Sequence, residues 1–233
     1  MSAKNEATEL LRPGVLAGTA AVLARVSRAA PAQDGGLTAT LRDAFTQLGA
    51  SVYECEPAAR GELEADDVSV NDAVAAALAE LGEVGLLVVD AASAFAAAQG
   101  AGGEAASASD VGLGRDALVR ALEASWRITQ AVANAAFIER GMSGRIVYIA
   151  PAPDAGIHAD AARAGLENLA RTLSIEWARY RIAPVTIAPA SGTSADQIAA
   201  LCAYLASPAG DYFSGCLLDL RGPHAAGVNA QGR

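Results

Sequence analysis

Val84-Gly85-Leu86-Leu87-Val88-Val89 is an unbroken apolar run that ends against Asp90. A strand walled on both faces reads this way, and such strands belong to parallel sheets covered by helices on each side. Immediately before it, Asp72–Leu81 carries helical apolar spacing and is closed by Gly82, a residue suited to a helix C-terminus. Further back, Ser51-Val52-Tyr53-Glu54-Cys55 is a strand, and Leu37–Leu48 is a helix with Leu41, Ala44, Phe45 and Leu48 on one stripe, followed by Gly49. Thr19–Val26 is a first strand, separated from that helix by a Pro- and Gly-bearing stretch, Ser27–Gly36.

Downstream the alternation continues. Ala91–Asp110, rich in Ala, Gly and Ser, reads as a flexible loop. Arg115–Arg140 is a long helix and Gly144–Ala150 a strand. Asp160–Tyr180 is a helix with Leu166, Leu169, Leu173 and Trp177 on one stripe. Val185-Thr186-Ile187 is a short strand between prolines, Ala195–Ala206 a helix and Gly215–Leu220 a last strand. Strand–helix alternation of this kind predicts a single α/β domain over residues 1–233: a doubly wound parallel sheet, Rossmann-like, of about seven strands with helices on both faces. Residues 1–14 and 222–233 read as flexible or interface tails.

Composition narrows the function. With 233 residues, 52% of them hydrophobic and 18% charged, the chain can bury a full core and is no disordered segment. The formal net charge of -9 argues against nucleic-acid partners. No apolar run reaches the roughly 20 residues of a membrane span, and the start lacks a basic segment followed by an apolar one. Cys55, Cys202 and Cys216 are too few and too scattered for a disulfide framework. The expectation is a cytoplasmic protein with neither nucleic-acid nor membrane partners.

Four stretches in order carry a family resemblance. They are Asp67-Val68-Ser69 followed by a helix and Gly82–Ser93; Gly144–Ile149; Arg163–Ala178; and Ile198–Pro208 followed by Phe213–Asp219. Together they resemble the short-chain dehydrogenase/reductase family over nearly the whole chain. In that resemblance Asp67-Val68-Ser69 matches the family's Asp-Val strand end, and Asp90-Ala91-Ala92-Ser93 matches its Asn-Asn-Ala-Gly. Arg163–Ala178 matches the active-site helix. These enzymes use a tyrosine as general acid/base, with a lysine four residues later that lowers its pKa.

The chemistry of the family is not carried over. The resemblance puts the tyrosine at Ala159, the lysine at Arg163, the serine at Ala150-Pro151 and the asparagine at about Ala121. Alanine has no proton to transfer. The glycine-rich phosphate turn, which lets backbone approach a pyrophosphate, is replaced by Arg25–Thr38, which holds Arg28, Pro31, Asp34, Gly35 and Gly36. A carboxylate at Asp34 repels phosphate, although Arg25 and Arg28 offset it. Pro189–Thr193 runs almost directly into the next helix, where the family usually carries an insertion over its substrate. The expectation is a degenerate member with no catalytic, cofactor-binding or metal residues and no cofactor.

Other side chains have bland readings. His158, beside the vacant tyrosine position, is a substitute base or a loop histidine, and His224 a tail residue. Ser191 and Ser194 lack an oriented His–Asp partner. Tyr148 and Tyr180 do not match the general-acid position. Trp126 and Trp177 read as helix core, and Glu62–Asp67 as a solvated edge leading into a strand. The family pairs its two long helices across a two-fold axis and builds a second interface from its final helix and strand. The resemblance therefore implies a non-catalytic subunit that pairs with an active paralogue in a hetero-oligomer, or with itself. The alternative is an atypical NAD(P)-dependent oxidoreductase with a rearranged site.

Overall fold

The computed structural model describes residues 10–25, 36–56, 67–100 and 109–221. Among them six strands form one parallel sheet: β1 (Ala20–Arg25), β2 (Ser51–Cys55), β3 (Leu86–Asp90), β4 (Gly144–Ile149), β5 (Ile182–Ala188) and β6 (Leu217–Asp219), in spatial order β2-β1-β3-β4-β5-β6. This is the expected doubly wound architecture, with six described strands against about seven anticipated. Every residue of β3 is buried, as its apolar run requires.

Helices α1 (Leu37–Gln47), α2 (Asp67–Leu81), α3 (Ala91–Gly100), α4 (Ser109–Val132), α5 (Ala159–Glu176) and α6 (Ala195–Ala206) complete the fold. Alternate strand residues divide the core between the two faces of the sheet. Leu23, Val88, Val147 and Ile187 pack with α1 and α6. Val22, Val89, Ile146 and Tyr148 pack with α2, α4 and α5. Helix α6 starts on a capping box in which the Ser194 hydroxyl accepts the Gln197 N–H and the Gln197 side chain accepts the Ser194 N–H.

Several elements differ from the sequence reading. Ala91–Asp110 is not a loop throughout: its first ten residues are helix α3, and α4 has begun by Ser109. Asp67-Val68-Ser69 is the first turn of α2, not a strand end, and Asp67 lies 3.8 Å from Arg127 of α4. The long helix ends as a π-turn over Ala133–Ile138. This turn seats Phe137 so close to Gly144 that a Cβ there would collide with the ring. Helix α5 gives way to a short 3-10 turn, Ala178–Tyr180.

Strand β5 runs through Pro184, which the prolines-as-boundaries reading placed outside the strand. The Pro184 carbonyl accepts the Gly215 N–H, so the missing N–H falls on the side of β6, which begins only at Leu217. No ladder bond to β4 is lost, and the proline is tolerated. Trp126 is 38% exposed rather than core and stacks on Trp177 with centroids 6.3 Å apart.

Candidate functional site

In open α/β sheets, ligands bind beyond the carboxyl ends of the strands where the strand order reverses. Here the order reverses between β1 and β3, whose last residues, Arg25 and Asp90, are register partners. Asp90 is buried, and its carboxylate accepts the Ser93 N–H at 3.0 Å and the Ser93 hydroxyl. It thereby occupies the N-cap position of α3, whose first residue follows it directly. The polypeptide that leaves β3 turns at once into a helix lying against α4 and touching β1 and β4. Burial raises the Asp90 pKa, opposed by its bonds to Ser93 and by the Arg25 charge.

Helix α3 packs over two of the positions that the resemblance assigns to catalysis, Ala121 and Ala159. Ala94, Phe95 and Ala98 of α3 share one buried cluster with Ala117 and Ala121 of α4 and Ala159 and Ala162 of α5. Phe95 and Ala121 are 0% exposed and Ala159 is 1% exposed. Ala150 is also fully buried, at the end of β4. The alanines at 121, 150 and 159 have no side-chain proton to transfer.

Arg163, at the lysine position, is buried in the first turns of α5. Its Nη1 donates to the carbonyls of Pro151 (2.8 Å) and Pro189 (2.7 Å), the residues just past β4 and β5. Its Nη2 lies 3.7 Å from Asp219 of β6, and its Nε lies 3.9 Å from Asp160. One guanidinium therefore ties together the carboxyl ends of three strands. Burial lowers its pKa, as does nearby Arg221, against the pull of Asp219 and Asp160. Arg221 donates to both oxygens of Asp219, from Nε to Oδ1 and from Nη2 to Oδ2, and holds that carboxyl below its usual range.

The segment from Pro189 to Ser194 is a tight turn, with the Thr193 hydroxyl accepting the Ala190 N–H at 2.9 Å, and α6 follows immediately. Of the phosphate-turn residues, Arg28, Pro31, Asp34 and Gly35 lie outside the described residues, as does His224. Arg25 is described and pairs with Glu56 at 3.2 Å, just past β2. An acid after the second strand is where a dinucleotide's ribose hydroxyls are bound in folds of this type, and here that carboxylate is engaged by the chain itself. The sequence reading missed Glu56. Its position after an alternating strand was the available signal.

The remaining candidates have structural roles or face solvent. His158 is exposed, takes a left-handed conformation (φ 69°) at the N-cap of α5 and packs near Gly114. Ser194 is a helix cap. Tyr148 is buried on the helix face of β4 with its hydroxyl 3.0 Å from the Thr129 hydroxyl, and burial raises its pKa. The three cysteines are free thiols, and burial pushes Cys55 up to about 12. Among the described residues no cluster of His, Cys, Asp or Glu could hold a metal ion, and no helix is long and apolar enough to cross a membrane.

No protein-family model and no curated protein matches the chain. Solved structures do. A short-chain dehydrogenase of Mycobacterium smegmatis superposes with a TM-score of 0.70 at 19% identity, over 96% of this chain and 98% of that one. The fold is that of the short-chain dehydrogenase/reductase structures. A hydroxysteroid dehydrogenase of Escherichia coli gives 0.67 at 17% identity, over 88% and 96% of the two chains. A 3-ketoacyl-(acyl-carrier-protein) reductase of Brucella melitensis, solved with NADH, gives 0.64 at 20% identity, over 88% and 97%. At these identities the likeness to short-chain dehydrogenases establishes the fold alone.

Proposed function

We propose that this chain is a non-catalytic subunit of the short-chain dehydrogenase/reductase type, which pairs with an active paralogue and supports it in a hetero-oligomer. The observation that carries this reading is the buried alanine cluster. Ala121 and Ala159 stand at the positions matched to catalytic side chains and are sealed under Phe95. The self-paired Arg25–Glu56 and Arg163–Asp219 groups support it, since each uses a charge that a cofactor or substrate site would need. Apolar side chains left on the outer faces of the long helices, Val119 and Trp126 of α4 and Ile175 of α5, suit a pairing surface. Tyr204 of α6 and Tyr212 after it suit a second one.

Two measurements test the reading. Calorimetry of the isolated chain with millimolar NAD(H) or NADP(H) is expected to show no saturable binding, and micromolar affinity would refute a vacant cofactor role. Co-expression with the nearest homologue that keeps the tyrosine and lysine is expected to yield a co-eluting complex. It is also expected to raise the soluble, active yield of that homologue. A homologue equally soluble and active alone, with no co-elution, overturns the subunit role.

A further inference from the structure

We propose that the amino edge of the sheet, opposite the edge where Asp90 and Arg163 sit, binds a small zwitterion between Glu83 and Arg181. A cavity of about 460 Å³ opens there, within the size range of small-molecule sites. Its walls include residues that lead into four neighbouring strands: Thr19 ahead of β1, Glu83 ahead of β3, Ser143 ahead of β4 and Arg181 ahead of β5. Arg145 of β4 and Asp211, past the end of α6, line it too.

Two of the four charged side chains at this cavity are engaged by the fold itself. Arg145 donates from Nη1 to the carbonyls of Leu205 and Ser207, and from Nη2 to the Asp211 carboxylate. The other two, Glu83 and Arg181, are exposed and make no ion pair or side-chain hydrogen bond among the described residues. Arg181 stands where a glycine would sit more easily: its φ is 57°, in the left-handed region. Its carbonyl accepts the Gly144 N–H at 3.3 Å, which ties that backbone to the start of β4. Non-glycine residues held in this region concentrate at ligand sites. Glu83 and Arg181 lead into β3 and β5, which have β4 between them, so the two strands lie about 10 Å apart, or two strand spacings. A ligand that meets both side chains therefore carries its ammonium and its carboxylate at opposite ends of a short chain, as an ω-amino acid does. The two arginines and two acids balance, and a phosphate would face the like charges of Glu83 and Asp211.

The probe is δ-aminovalerate, titrated into the full-length chain while amide shifts are followed by NMR. Saturable shifts are expected at Ser143, Gly144 and Arg181. Pentanoate and pentylamine each lack one of the two charges and are expected to bind at least about tenfold more weakly. Arg181→Gly relieves the left-handed backbone and is expected to melt no lower than the parent chain. The same variant is expected to weaken δ-aminovalerate binding at least about tenfold, and Glu83→Gln to do so with the melting transition unchanged. The site is overturned if these amides show no saturable shift, or if Arg181→Gly binds as the parent does. Equal affinity for either single-charge analogue, or tighter binding of inorganic phosphate at the same amides, overturns the zwitterion. The experiment uses no partner subunit, so its failure is distinct from a failure of the pairing proposal.

Discussion

The carboxylate of Asp90 receives the backbone N–H of Ser93 at 3.0 Å, so the last residue of β3 is also the cap of α3. Strand and helix are joined through one buried acid. Its pKa is raised, with burial as the leading cause.

The sign of the pH effect follows from that direction. A raised pKa means that the folded chain holds a proton that the unfolded chain has released, so the stability contributed by Asp90 is fully present below the ordinary carboxylate value of about 4 and is lost as pH rises through the raised value. Asp90→Asn keeps an acceptor for Ser93 and cannot titrate. Urea unfolding across pH is expected to show the parent chain losing ground to Asp90→Asn from about pH 4 upward. Asp90→Ala loses the cap and is expected to cost about 0.5–2 kcal/mol.

Arg163 is expected to be structural. Arg163→Met leaves the carbonyls of Pro151 and Pro189 without their shared donor, at roughly 1–3 kcal/mol for each group that stays buried and unbonded. Arg163→Lys supplies a point charge in place of a planar fork and is expected to fall between the two. Denaturant midpoints rank the three proteins. A lysine variant as stable as the parent would contradict the bridging role.

Val119 of α4 and Ile175 of α5 are 41% and 76% exposed. Substitutions at such surface positions usually change stability by no more than about 0.5 kcal/mol. Val119→Glu with Ile175→Glu is therefore expected to leave the melting transition nearly unchanged while abolishing co-elution with a partner or with a second copy. Sedimentation velocity reads the outcome. An unchanged assembly would move the interface elsewhere on the chain.

The fold was legible where hydrophobic period decides structure. The short run Val84–Val89, closed off by Gly82 before it and Asp90 after it, reads as a doubly covered strand, and the stripe Leu166, Leu169, Leu173, Trp177 reads as one face of a helix. The segment after β3 was not legible as a loop-or-helix choice made on composition. Ala91-Ala92-Ser93-Ala94-Phe95-Ala96-Ala97-Ala98 is low in complexity, yet alanine is the strongest helix former, and Asp90 stands at the cap position ahead of it. Asp67 was misplaced for the opposite reason: a matched strand-end motif outweighed the helix signal of an acid in a first turn. At the site, alanines at 121, 150 and 159 were visible in the sequence. That Phe95 covers two of them was not, because the contact joins segments far apart in the chain.

The seating of Phe95 also bears on how this chain can change over generations. A tyrosine restored at position 159 would enter a cluster already filled to 0–1% exposure, and overpacking of that kind costs about 1–3 kcal/mol. The ring would have nowhere to go unless α3 had first been displaced, and displacing α3 alone brings no chemistry. A tyrosine at 159 introduced by itself is therefore expected to give a less stable protein. The packing of α3 thus limits which side chains position 159 can accept by a single substitution.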